Sequence, residues 1–83
     1  LGGTATLDFP NVTAGGYQDL TISVTGATTG SAVSLGLPAS PTTGIVFSAF
    51  VSASNTITVR AFNPSASDIN PASASYTTSI VAN

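Results

Sequence analysis

The chain has 83 residues and a net charge of −2, carried by three Asp and one Arg, with no Lys, His, Cys, Met or Trp. These absences exclude disulfides, zinc or iron sites of ordinary composition, and nucleophiles activated by His or Lys. A single cation supplies no basic footprint for nucleic acid, and no apolar run reaches the roughly 18 residues that span a membrane.

The good helix formers Glu, Lys and Met are missing, while Thr, Ser, Ala, Val and Gly dominate, so strands are expected throughout. Residues 4–9 alternate, with Ala5, Leu7 and Phe9 on one face. Gly15-Gly16 marks a turn. Residues 17–25 then gather Leu20, Ile22 and Val24 on one face. A second turn region, 26–30, leads to residues 31–37, which align Val33, Leu35 and Leu37. Residues 38–44 form a Pro- and Gly-containing connection.

Residues 45–53 differ from the rest. Ile45, Phe47, Ala49 and Val51 share one face, and Val46 and Phe50 lie on the other. A strand apolar on both faces is central in a sheet or contributes to an interface.

Residues 56–62 follow, with Ile57, Val59 and Ala61 on one face. A three-residue loop, Ala53-Ser54-Asn55, pairs Val51 with Ile57, Ala49 with Val59 and Phe47 with Ala61. A two-residue turn would shift the register by one and split the apolar face. The three-residue class ends in a left-handed residue, a conformation that Asn tolerates. Asn55 is therefore expected at positive φ. The same register sets Val46 opposite Phe62, Ser48 opposite Arg60 and Phe50 opposite Thr58. Val46, Phe50 and Phe62 then form an apolar patch around Arg60, to be covered by the long loop 63–72 or by another subunit.

That loop holds Asp68 and Asn70, read as turn-forming side chains that support it rather than as cation ligands. Arg60 is expected to clamp this loop or a neighbouring subunit through its planar fork. Asn11-Val12-Thr13 matches a glycosylation sequon, a short pattern frequent by chance. A last strand, residues 73–82, aligns Ala74, Tyr76, Thr78 and Ile80. The expected fold is all-β: one small antiparallel β-sandwich or jelly-roll-like domain of six to seven short strands over residues 1–83.

The three Asp are scattered, so no carboxylate pair is selected for catalysis. No catalytic residue, cofactor or metal ligand is assigned, and the chain reads as non-enzymatic. Residue 1 is Leu, which reads as a processed chain or a piece of a longer one. No basic segment followed by an apolar stretch marks a signal peptide. A chain this small buries only about 60–65% of its unfolded surface. With disulfides and metals excluded, oligomerisation is the common remaining remedy.

Residues 45–53, then Asn55-Thr56-Ile57-Thr58-Val59-Arg60-Ala61-Phe62-Asn63, then Asn70-Pro71-Ala72-Ser73-Ala74-Ser75-Tyr76, resemble a short domain of tailed-bacteriophage virion proteins. The openings Gly3-Thr4-Ala5-Thr6-Leu7-Asp8-Phe9 and Asp19-Leu20-Thr21-Ile22-Ser23-Val24-Thr25-Gly26 extend the resemblance over almost the whole chain. Asn70 departs from the Asp that usually precedes the Pro, and Thr77-Thr78 stands where a basic residue is common.

The resemblance implies a small all-β virion component. The expected role is a capsid decoration (cement) protein on the outer shell, a homotrimer contacting the major capsid protein or other virion proteins. The alternative is a tail-fibre, spike or collar domain that contacts a host glycan or adaptor through Tyr17 or Tyr76. A further alternative is an immunoglobulin-like spacer module of a bacterial surface protein. No nucleic-acid or membrane partner is expected.

Overall fold

A computed structural model describes residues 2–38 and 42–81; the side chain of Val81 is outside that description. The middle of the 38–44 connection and Ala82 at the end of the last expected strand therefore lie outside the described residues. Six strands form: β1 (Gly2–Leu7), β2 (Tyr17–Ser23), β3 (Ala32–Gly36), β4 (Val46–Ala53), β5 (Thr56–Phe62) and β6 (Ala74–Val81). They make two three-stranded sheets, ordered β1-β6-β3 and β2-β5-β4. Every pairing is antiparallel. The sheets face each other with β1 alongside β2 and β3 alongside β4. This is the expected all-β sandwich, with six strands.

The period-2 faces meet in the middle. Leu7, Ile22, Val51, Ile57, Val59, Ala61 and Tyr76 are buried between the sheets. Phe9 and Val24 continue their strands' inward faces just past the strand ends and are buried as well. Phe9, Phe47 and Tyr76 form an aromatic cluster with ring centroids 5.4–6.0 Å apart. Phe9 meets Tyr76 edge-on at 83°, a favoured aromatic geometry. Leu37 does not join Val33 and Leu35. It lies beyond the end of β3 and is exposed, because the strand stops at Gly36.

The β4–β5 register is the one that keeps the apolar face continuous. Val51 faces Ile57, Ala49 faces Val59 and Phe47 faces Ala61. The tip is built differently from a plain three-residue loop. Ala53 faces Thr56, and a one-residue irregularity between Val51 and Ala53 restores the register. Such a bulge absorbs one extra residue on one strand.

Asn55 adopts φ 63°, as expected. Its backbone donates to Ala27 O and accepts from Val24 N, both at 2.9 Å. Its side-chain oxygen accepts from Gly26 N at 2.7 Å. The hairpin tip is thereby fastened to the turn after β2.

The opposite pole is held by Asn63, whose side chain is fully buried. Its amide donates to Val12 O (3.0 Å) and Ser67 O (2.7 Å), and its oxygen accepts from Ser65 N and Ser65 Oγ. Val12 and Ile69 exchange two backbone hydrogen bonds. The segment after β1 and the segment after β5 are thus tied together, which satisfies backbone groups that sheet ladders do not reach.

Candidate interaction surface

The outward face of the β2-β5-β4 sheet is assembled by register. Three cross-strand rows lie on it: Tyr17, Phe62 and Val46; Asp19, Arg60 and Ser48; Thr21, Thr58 and Phe50. The first row is apolar and open to solvent, with Tyr17 56%, Val46 55% and Phe62 39% exposed. Phe50 adds a fourth exposed apolar side chain at 41%. The expected cluster of Val46, Phe50 and Phe62 around Arg60 is therefore present.

Arg60 binds Asp19 with two parallel hydrogen bonds, Nε to Oδ1 and Nη2 to Oδ2, each 2.9 Å. Its guanidinium carbon lies 4.5 Å from the Tyr17 ring centroid and 5.4 Å from that of Phe50. The cation is paired in its own plane and flanked by two rings, an arrangement suited to the guanidinium. The bidentate bond holds the Asp19 carboxyl below the usual carboxylate range, with burial opposing it. The same bond raises Arg60 above its ordinary value, again against burial.

Two expectations are corrected here. Arg60 does not clamp the 63–72 loop: the β2–β5 register places Asp19 directly across from it, and that carboxylate takes the fork. Nor does the loop cover the patch. It is drawn toward residues 11–16 by Asn63 and by the Val12–Ile69 bridge.

Asp68 was expected to form a local turn, but its carboxylate instead ties the loop to the segment after β1. Asp68 accepts from Ala14 N (3.0 Å) and Asn11 Nδ2 (3.4 Å). With its amide oriented so that the nitrogen donates, Asn70 would reach Phe9 O (3.3 Å) and Pro71 O (3.2 Å). Tyr76 is a core residue at 1% exposure and offers no stacking surface.

Sequence reasoning missed Tyr17 and Asp19 as members of this face. Their alternation was visible, but only the β2–β5 pairing, across about 40 residues of chain, brings them beside Arg60.

The opposite outer face has different chemistry. Thr4, Thr6, Ser34, Ser75, Thr77 and Ser79 point outward from β1, β3 and β6, and Thr4 and Thr77 hydroxyls meet at 3.1 Å. Among the described residues no cavity opens, and no three His, Cys, Asp or Glu side chains come together as metal ligands. The β2-β5-β4 face carries exposed rings, an aliphatic side chain and a self-neutralised ion pair. No family model matches the sequence, and no curated protein or solved structure matches it at a significant level.

Proposed function

We propose that this chain is a non-enzymatic structural component of a virion, a capsid decoration (cement) protein that sits on the outer head shell and contacts the major capsid protein. The observation that carries this reading is the outward β2-β5-β4 face. Tyr17, Phe62, Val46 and Phe50 remain exposed there around an ion pair that already satisfies its own charges. Contiguous exposed apolar surface marks contact sites, and a paired Arg adds little desolvation cost on docking compared with a free one. The resemblance of the sequence to phage virion domains supplies the setting.

A second reading, a tail appendage touching a host glycan, is favoured by Tyr17, whose ring is half exposed beside the Asp19–Arg60 pair. The test is to purify tailed-phage particles that encode this chain and label them with an antibody raised against it. Label spread over the head supports the decoration reading, and label confined to the tail supports the appendage. Particles that lack the chain by both label and peptide mass spectrometry overturn both.

A further inference from the structure

We infer that β4 is an incomplete edge and that it pairs antiparallel with β4 of a second copy, joining two β2-β5-β4 sheets into one six-stranded sheet across a two-fold axis. The starting point is a mismatch between sequence and position. β4 is apolar on both faces, with Phe47, Ala49 and Val51 inward and Val46 and Phe50 outward, yet it is the outer strand of its sheet. Strands of that composition are normally flanked on both sides.

Among the described residues this edge carries little protection: the irregularity between Val51 and Ala53 lies at its far end, and β4 has no charged residue and no Pro, two other devices by which edge strands avoid pairing. Among the described residues, no backbone group of Val46–Val51 bonds to anything outside the pairing with β5. The sandwich is also more open on this side. Val33, Leu35, Ile45, Phe47 and Ala49 are only partly covered there, whereas Ala5 and Leu20 are the partly covered residues along β1 and β2.

The occupant follows from the register such a pairing must have. Keeping like faces together across a two-fold sets one residue opposite itself, and the two registers centred on the regular stretch Val46–Val51 set Ser48 opposite Ser48 or Ala49 opposite Ala49. The first sets Val46 against Phe50 twice and Phe47 against Ala49 twice. These are aromatic–aliphatic pairs on both faces. The second sets Phe50 against Ser48 and runs Val46 into Ser52, at the irregularity between Val51 and Ala53. The Ser48-centred register ends before that bulge.

Charge does not oppose the pairing. The two Arg60 side chains lie about three strand spacings apart, roughly 14 Å, and each is neutralised by its own Asp19. The outward patch of one copy then continues into that of the other. A two-fold pair replaces the three-fold assembly expected from the resemblance.

The test uses the chain as it stands, which has no Cys. Sedimentation equilibrium from about 1 µM to about 1 mM spans the range over which small interfaces associate. A monomer–dimer equilibrium is expected. In Ser48→Cys, two-fold pairing puts the two Cα atoms within the roughly 4.4–6.8 Å that a disulfide spans, so mild oxidation should yield a covalent dimer. Thr21→Cys on the other edge of the same sheet should yield little. Val46→Lys should weaken the dimer at least tenfold with an unchanged circular dichroism spectrum. A monomer throughout, a trimer, or Ser48→Cys coupling no faster than Thr21→Cys each overturns the inference. It does not rest on the virion reading: a monomer would leave the particle-labelling result untouched, and particles without the chain would leave the edge pairing untouched.

Discussion

Asn63→Ala tests whether one buried amide organises a whole pole of the sandwich. Asn63 makes four side-chain hydrogen bonds, two as donor and two as acceptor. A net value of about 1 kcal/mol each would total about 4 kcal/mol if all four were lost without compensation. Two partners keep another bond, however. Val12 O still accepts from Ile69 N (3.0 Å), and Ser67 O from Ser65 Oγ (2.9 Å). The expected cost is therefore about 2–3 kcal/mol. A domain of this size has about 4–12 kcal/mol in total, so Tm should fall by about 10–20 °C. Urea unfolding followed by circular dichroism gives the free energy directly, with an unchanged m-value as the check that the variant still unfolds as one unit. A loss below about 1 kcal/mol would refute the reasoning. The pole would then be held by the buried Phe9 and Val12 and by the Val12–Ile69 bridge.

Three further outcomes are expected. Asn55→Ala should cost about 2 kcal/mol, from a left-handed φ and a lost bond to Gly26 N, while Asn55→Gly should cost about 1 kcal/mol because only the bond is lost; equal losses in urea unfolding would show that φ is not the issue. Asp19 is held below its ordinary value, so its pairing with Arg60 contributes above the unfolded carboxylate range and is lost as pH falls through the folded value. Wild-type Tm should thus drop more steeply than that of Asp19→Asn between about pH 5 and pH 2. The difference should be small because both side chains are about a third exposed, and identical acid limbs would count against the pair. Burial raises the Tyr76 phenol above its ordinary value, so in Tyr17→Phe the phenolate absorbance at 295 nm should appear with a midpoint above about 10. The associated stability is present below the unfolded value and disappears as pH rises through the folded one, and a midpoint at or below 10 would refute it.

The strands and their inward faces were legible because burial imposes a period of two, and Ala5, Leu7 and Phe9 or Ile57, Val59 and Ala61 carry it without interruption. The β4–β5 register was legible for the same reason: one slip would have placed Phe47 and Val51 on the wrong side of their partners. The bulge at the tip was not, since Ala53 and Ser54 are small enough to fit either turn. Asn63 gave no signal, because a buried hub and an exposed turn residue look alike in sequence. The partner of Arg60 was hidden by topology. Nothing local to Arg60 names Asp19, and only the placement of β2 beside β5 does.

The pairing of the first strand with the last has a mechanical consequence. Gly2 lies across from Ser79, and Leu7 from Ala74, so the outer ends of β1 and β6 sit at the same pole. Tension applied at Gly2 and Val81 would load the rung nearest that pole first and then the next, peeling six residue pairs in succession rather than shearing them together. A chain strung taut through such a module would yield at low force. Load applied sideways, through the sheet faces, would not act along this rung-by-rung path. That is the geometry of a rivet rather than of a rope.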